Sequence, residues 1–197
     1  MASEDRLQLF LAAQGAFSDR VHAVTEDQWQ LGTPAVEWSV ADLVRHLADE
    51  HQWAAPLMHG LDLDTAGKIA RGGRSLPVDG GVGANFAELW DEAAAASADA
   101  FSAGDALDRT VELSRGRAPA RDYIDEMTLD LVVHAWDLGR AIGYDEPLPA
   151  EVVEAVYAVA KDIGDLSRTG VFDKPVDVPD DAPTIDKLVA LTGRDPR

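Results

Sequence analysis

LDLVVHAWDLGRAIG, residues 129–143, sets the fold class. Leu129, Leu131, Val132, Val133, Ala135, Trp136 and Leu138 cover nearly every direction of a helical wheel. A helix that is apolar all round belongs in the middle of a protein, not on its surface. The helical pattern extends back to about Arg121, and Gly143 supplies a residue on which such a helix can stop. Asp130 and His134 sit inside this apolar stretch, about 40° apart around the axis and about 6 Å apart along it, so they face the same way. A buried carboxylate is costly unless partnered. At this spacing the two side chains either make a hydrogen-bonded pair or hold a metal with a third group from elsewhere.

Moving outward, the second clear helix lies upstream. Ser39 caps it, Asp42 completes a capping box three residues on, and Trp38 is expected to staple onto Leu43. Its core stripe is Val40, Val44, Leu47 and Ala54, running toward Pro56. His46 lies roughly 120° from the centre of that stripe. Asp130 and His134 are offset in the corresponding sense from the stripe of Ile124, Met127, Leu131, Leu138 and Ile142. If the two helices are neighbours, offsets in the same sense could bring His46, Asp130 and His134 to one off-centre pocket, although a wheel does not itself make them adjacent. Asp137 is placed to accept the ring proton of His134, and Arg140 is expected to pair with Asp137.

The remaining segments frame these two helices. Leu7, Phe10, Phe17, Val21 and Val24 define a first helix, and Phe86, Leu89, Trp90, Ala93, Ala100 and Phe101 a third, stopped by Gly104. Between His59 and Gly83 helical periodicity disappears among glycines at 60, 67, 72, 73, 80, 81 and 83, which reads as a long connection. Arg109–Leu113, a turn over Ser114–Arg117, and Pro119 suggest a small β-hairpin. Val152, Val153, Val156, Val159 and Ile163 mark a fifth helix. Prolines 175, 179 and 183 mark an extended crossing, and Thr184–Leu191 forms a short last helix ending at Gly193. The expected fold is all-α: an antiparallel four-helix bundle with a long crossover over residues 1–145, and a C-terminal helical extension over 146–197 packed on the same domain.

Composition narrows the partners. The 197 residues carry 17 Lys and Arg against 36 Asp and Glu, a formal net charge of −19, which repels phosphate backbones and anionic lipid. Neither nucleic acid nor a membrane is an expected partner. No cysteine is present, which excludes disulfides, thiolate ligands and a cysteine nucleophile, so thiol chemistry needs an external thiol. The N-terminal stretch has no basic flank or apolar signal core, and no apolar run is long enough for a bilayer, so a cytoplasmic protein is expected.

Two stretches, EWSVADLVRHL (37–47) and LDLVVHAWDLGRAIG (129–143), resemble the signatures of the mycothiol-dependent maleylpyruvate isomerase-like metal-binding proteins of the DinB superfamily. LTGRDP (191–196) is similar to the ending of an actinobacterial branch of that superfamily. The resemblance implies a DinB-like bundle holding a divalent metal, usually zinc with nickel as the alternative, on His46, Asp130 and His134. Where the characterised isomerase has glutamate, this chain has the shorter Asp130. Two histidines and one carboxylate leave a coordination position open, as catalytic zinc sites do. Mycothiol is the implied thiol cosubstrate, a small electrophile the substrate, and a homodimer the implied assembly. Three outcomes stay open: thiol-dependent transfer or isomerisation, hydrolysis by metal-activated water, or a metal that only ties two helices together.

Other polar residues receive plainer readings. Glu50, four after His46, is a reserve ligand better explained as surface charge, and Glu126 is expected in solvent. His22, His51 and His59 are read as ordinary surface or core residues. Lys68, Arg71, Arg74, Arg115, Arg117 and Arg121 could attract an anionic cosubstrate, although solvated loop charge explains them more simply. Among the five tryptophans, Trp53 is the one expected at a ligand cleft.

Overall fold

The capping box at Ser39 forms as its residue types require: the Ser39 hydroxyl accepts from the Asp42 N–H at 3.2 Å, and the Asp42 carboxylate accepts from the Ser39 N–H at 3.1 Å in the computed structural model. Such a cap stabilises a helix by about 1 kcal/mol. The structure describes residues 1–72 and 85–197. Among them, helices α1 (Ser3–Ala23), α2 (Val40–Met58), α3 (Leu63–Gly72) and α4 (Phe86–Ser102) precede a hairpin of β1 (Thr110–Leu113) and β2 (Gly116–Pro119). Helices α5 (Ala120–Ile142), α6 (Ala150–Ile163) and α7 (Thr184–Leu191) follow.

Four helices close a ring in which α1 packs on α5, α5 on α2, α2 on α4 and α4 on α1. The all-α bundle with its small hairpin is therefore the observed architecture. Helix α5, the apolar 129–143 stretch and its upstream turns, runs through the core with Ile124, Leu131, Val133, Ala135 and Leu138 fully buried. It ends at Gly143 in the left-handed conformation (φ 71°), whose N–H caps Gly139. Gly139 itself permits close packing of α1: a Cβ there would meet Arg20 Nε at 3.1 Å and the Tyr144 carbonyl at 3.3 Å. Arg6 ties the other end of α1 to Asp125 of α5 at 3.0 Å.

The segment after His59 is not wholly irregular, because Leu63–Gly72 forms α3, packed on α2. Asp62 starts it by accepting from the Thr65 N–H at 2.9 Å. The core side of α3 is Leu63 followed by the small residues Ala66, Gly67 and Ala70, and so small an apolar face leaves little periodicity to read. The glycine-rich remainder, with Arg74, lies outside the described residues.

The hairpin pairs Val111 with Ala118 and Leu113 with Gly116, burying Val111 and Leu113 and packing on α5. Beyond α5, α6 lies against α5 and α1, and α7 against α6 and α5. Leu188 of α7 and Val152, Val156 and Ala160 of α6 join the same core. No helix among the described residues is long and apolar enough to cross a membrane.

Candidate metal centre

Helices α2 and α5 are ring neighbours, and their offset polar residues meet. Asp130 sits between the two histidines, with Oδ2 3.4 Å from His46 Nε2 and Oδ1 3.3 Å from His134 Nε2. One ligating atom from each residue lies within 4.8 Å of the others. Ligand atoms about 2.1 Å from a tetrahedral ion stand about 3.4 Å apart, so the nitrogen–oxygen spacings suit a small divalent cation, and the donor set is one that zinc accepts. The cluster is sided: the His46 and Asp130 side chains are 31% and 21% exposed, while His134 is 5% exposed.

The deep side is held by hydrogen bonds. His134 Nδ1–H donates to Asp137 Oδ2 at 3.0 Å. The acceptor-only carboxylate assigns the proton to Nδ1 and leaves Nε2 for a ligand. Asp137 is fully buried and meets Arg194, not Arg140: Nη2 donates to Oδ2 at 2.9 Å and Nε to Oδ1 at 3.3 Å. Arg140 instead lies over the Trp136 ring, 5.6 Å from its centroid. A helical i+3 partner was the natural expectation, but the C-terminal segment brings a longer-range cation to the same carboxylate.

Trp38 flanks the two imidazoles. Its indole lies 4.6 Å from the His46 ring and 5.5 Å from the His134 ring, the latter nearly parallel at 24°. The preceding residue, Glu37, has φ 72°, a left-handed conformation that costs a non-glycine residue about 1 kcal/mol or more. Thr33 pins the turn by donating from its backbone N–H to the Trp38 carbonyl at 3.0 Å. The aromatic wall is thus Trp38, whereas Trp53 is half-buried against the general core.

The charges are strongly coupled. Burial opposes protonation of His134, but the Asp130 and Asp137 carboxylates outweigh it and push its pKa up to about 9. Burial also opposes ionisation of Asp130, yet His134 and His46 hold its carboxyl well below the usual range.

The other titratable candidates stay apart. His22 pairs with Asp91 at 3.0 Å on the surface, and His59 donates to the Ala55 carbonyl at 2.7 Å beyond the end of α2. Glu126 pairs with Arg115; Glu50, though exposed, lies near enough to the cluster for the His46 and Asp130 charges to act on its carboxyl, without joining the converging donors. Lys68 pairs with Asp64 at 2.5 Å and Arg121 approaches Asp122 at 3.8 Å. His51 is a buried core histidine, stacked on Phe10 and edge-on to Trp90. Its Nδ1 is 2.7 Å from Ser97 Oγ, and Ser97 in turn donates to the Ala94 carbonyl. Burial pushes the His51 pKa down to about 3, keeping it neutral.

Comparison with known proteins places these features in context. Residues 10–139 match the family described as mycothiol maleylpyruvate isomerase N-terminal domain. The uncharacterized proteins MT0763 and Rv0738, from two strains of Mycobacterium tuberculosis, are each 30% identical over 197 residues, covering 96% of this chain and 98% of theirs. Crystal structures of a mycothiol-dependent maleylpyruvate isomerase and of a histidine-to-alanine mutant of it share the fold, each with a TM-score of 0.59. They are 20% and 19% identical, and the match covers 81% of this chain and 70% of theirs.

Proposed function

This chain belongs to the mycothiol maleylpyruvate isomerase N-terminal domain family, and from that premise we propose that it is a metal- and thiol-dependent isomerase or transferase acting on a small electrophile. His46, Asp130 and His134 hold a divalent ion, zinc first and nickel second, and an external thiol of the mycothiol type binds beside it. The observation that carries this reading is the sidedness of the cluster: three donors converge from two helices, closed behind His134 and open toward solvent at His46 and Asp130. A structural ion would be enclosed by protein ligands, while a working one needs an open approach.

Bound there, a divalent ion would stabilise a thiol as its thiolate at neutral pH. The residues of the chain do the rest. Asp137 holds the His134 proton on Nδ1 so that Nε2 can face the ion, Asp130 supplies compensating negative charge, and the Trp38 indole lies against both imidazole rings. A chain without cysteine cannot supply the thiol itself. A cytoplasmic setting, where small thiols stay reduced, belongs to this reading.

The test is elemental analysis of the purified protein, followed by cobalt substitution and titration with small thiols, mycothiol included. A sulfur-to-cobalt charge-transfer band in the near ultraviolet is the expected result. Stoichiometric cobalt with no band for any thiol would reject the thiol step and leave the hydrolytic or purely structural alternatives. No stoichiometric divalent metal would reject the centre altogether.

A further inference from the structure

We propose that Arg194 is a positioning residue of the metal centre, locking the Asp137 carboxylate that aims the His134 ring. The proposal rests on the reading of His134 as a ligand, and it reaches beyond the family match, which ends at residue 139. Asp137 is fully buried on α5, and its oxygens have a divided task. Oδ2 accepts from His134 Nδ1 at 3.0 Å and from Arg194 Nη2 at 2.9 Å, while Oδ1 accepts from Arg194 Nε at 3.3 Å. A guanidinium fork fixes the plane of a carboxylate as well as its charge. With that plane fixed, the direction of Oδ2 toward Nδ1 is set, and so is the direction in which Nε2 points. Deleting Arg194 leaves a buried carboxylate held by one hydrogen bond, free to turn about its side-chain torsions.

Arg194 is itself held in place. Its Nη1 donates to the Thr192 carbonyl at 3.1 Å, and its backbone N–H donates to the Val189 carbonyl at 3.1 Å. The preceding Gly193 has φ 88°, and a Cβ there would lie 2.4 Å from Asp173 Cβ and 3.1 Å from the Asp173 backbone. The crossing segment is tied down in turn by the Val176 N–H, which donates to the Ala190 carbonyl at 3.0 Å. Thr192, Gly193 and Arg194 thus act as one device: a buried threonine that ends α7, a glycine that allows the tight turn, and an arginine delivered to α5 from 57 residues away. The last turn of the chain completes a centre whose ligands lie in its first 134 residues.

The test uses the full chain loaded with cobalt, comparing wild type with Arg194→Met, Arg194→Lys and Gly193→Ala, and with Arg140→Met as a control that does not touch Asp137. Affinity is measured by chelator competition, ligand geometry by the cobalt d–d spectrum, and folding by circular dichroism and urea titration. Arg194→Met and Gly193→Ala should weaken metal binding about 10–100-fold, the range seen when groups behind a metal ligand are lost, and should alter the d–d bands. Arg194→Lys should recover part of the affinity but not the wild-type spectrum, because a point charge replaces the fork. Arg140→Met should match wild type.

A folded Arg194→Met protein with unchanged affinity and spectrum would overturn the proposal. Should that variant fail to fold, Arg194→Lys decides, and identity with wild type in both readouts overturns it. Wild-type protein that takes up no cobalt would instead refute the metal reading on which the proposal depends.

Discussion

Raising the pH of metal-free protein should destabilise it from inside the cluster. His134 carries its proton between Asp137, 3.0 Å from Nδ1, and Asp130, 3.3 Å from Nε2. Its pKa in the folded protein is pushed up to about 9, against about 6.5 for an ordinary histidine. The native state therefore keeps this proton through a range in which the unfolded chain has lost it. Stability from the pair is full below about pH 6.5, declines as pH rises, and is gone above about pH 9. Each pKa unit is worth about 1.4 kcal/mol, so the loss is of order 3 kcal/mol, a large fraction of the 5–15 kcal/mol typical of whole domains.

Urea titrations at intervals between about pH 6 and pH 10, in chelator, measure it directly. His134→Gln should abolish the alkaline decline. A saturating divalent ion should replace the proton and reverse the slope, since binding strengthens as the proton competes less, with about one proton released per ion near neutrality. A flat profile for the metal-free wild type, or a slope that survives in His134→Gln, would refute the reasoning.

Three more predictions concern single residues. His46→Ala and His134→Ala should each abolish stoichiometric metal, whereas His22→Ala and His59→Ala should not; full metal retention in the His134 variant would remove that residue from the centre. His51, buried and neutral with its pKa pushed down to about 3, works in the opposite pH range. The unfolded chain takes up its proton first, so stability falls as pH drops below about 6.5, and His51→Phe should flatten part of that acid limb in urea titrations. Glu37→Gly should relieve the left-handed strain at φ 72° and raise unfolding free energy by up to about 1 kcal/mol, the glycine's extra unfolded freedom offsetting some of the gain. A loss of stability in that variant would mean the Glu37 side chain contributes more than its backbone strain costs.

The ring of α1, α5, α2 and α4 was legible because its signals are local and repeated. Apolar side chains return every three or four residues, a capping box opens α2, and a glycine closes α5. The offsets of His46 and of Asp130 with His134 can be read on a wheel, but the adjacency of α2 and α5 cannot; the family resemblance joined the three residues, and the structure brings their ligating atoms within 4.8 Å. His51 could have been placed too, because it falls between Leu47 and Ala54 on the stripe that defines the α2 core. Helix α3 escaped because, beyond Leu63, only the small residues Ala66, Gly67 and Ala70 line its buried side. Arg194 escaped for a different reason: the proximity of residues 137 and 194 is set by how α6, the crossing segment and α7 fold back, and no periodicity within either segment encodes that distance. The sequence pattern offers Trp38 as a staple for Leu43, and only the turn through Glu37 reveals that its indole faces the two imidazoles.

That placement of Trp38 makes the centre report on itself optically. Indole emission is quenched by an adjacent protonated imidazole and, more strongly, by a paramagnetic ion at van der Waals range, and Trp38 lies within 5.5 Å of both histidine rings. Cobalt loading should therefore dim one of the chain's five tryptophans while zinc does not, and the dimming should vanish in Trp38→Phe. Occupancy, protonation and thiol exchange could then be followed by fluorescence in real time, without attaching a dye.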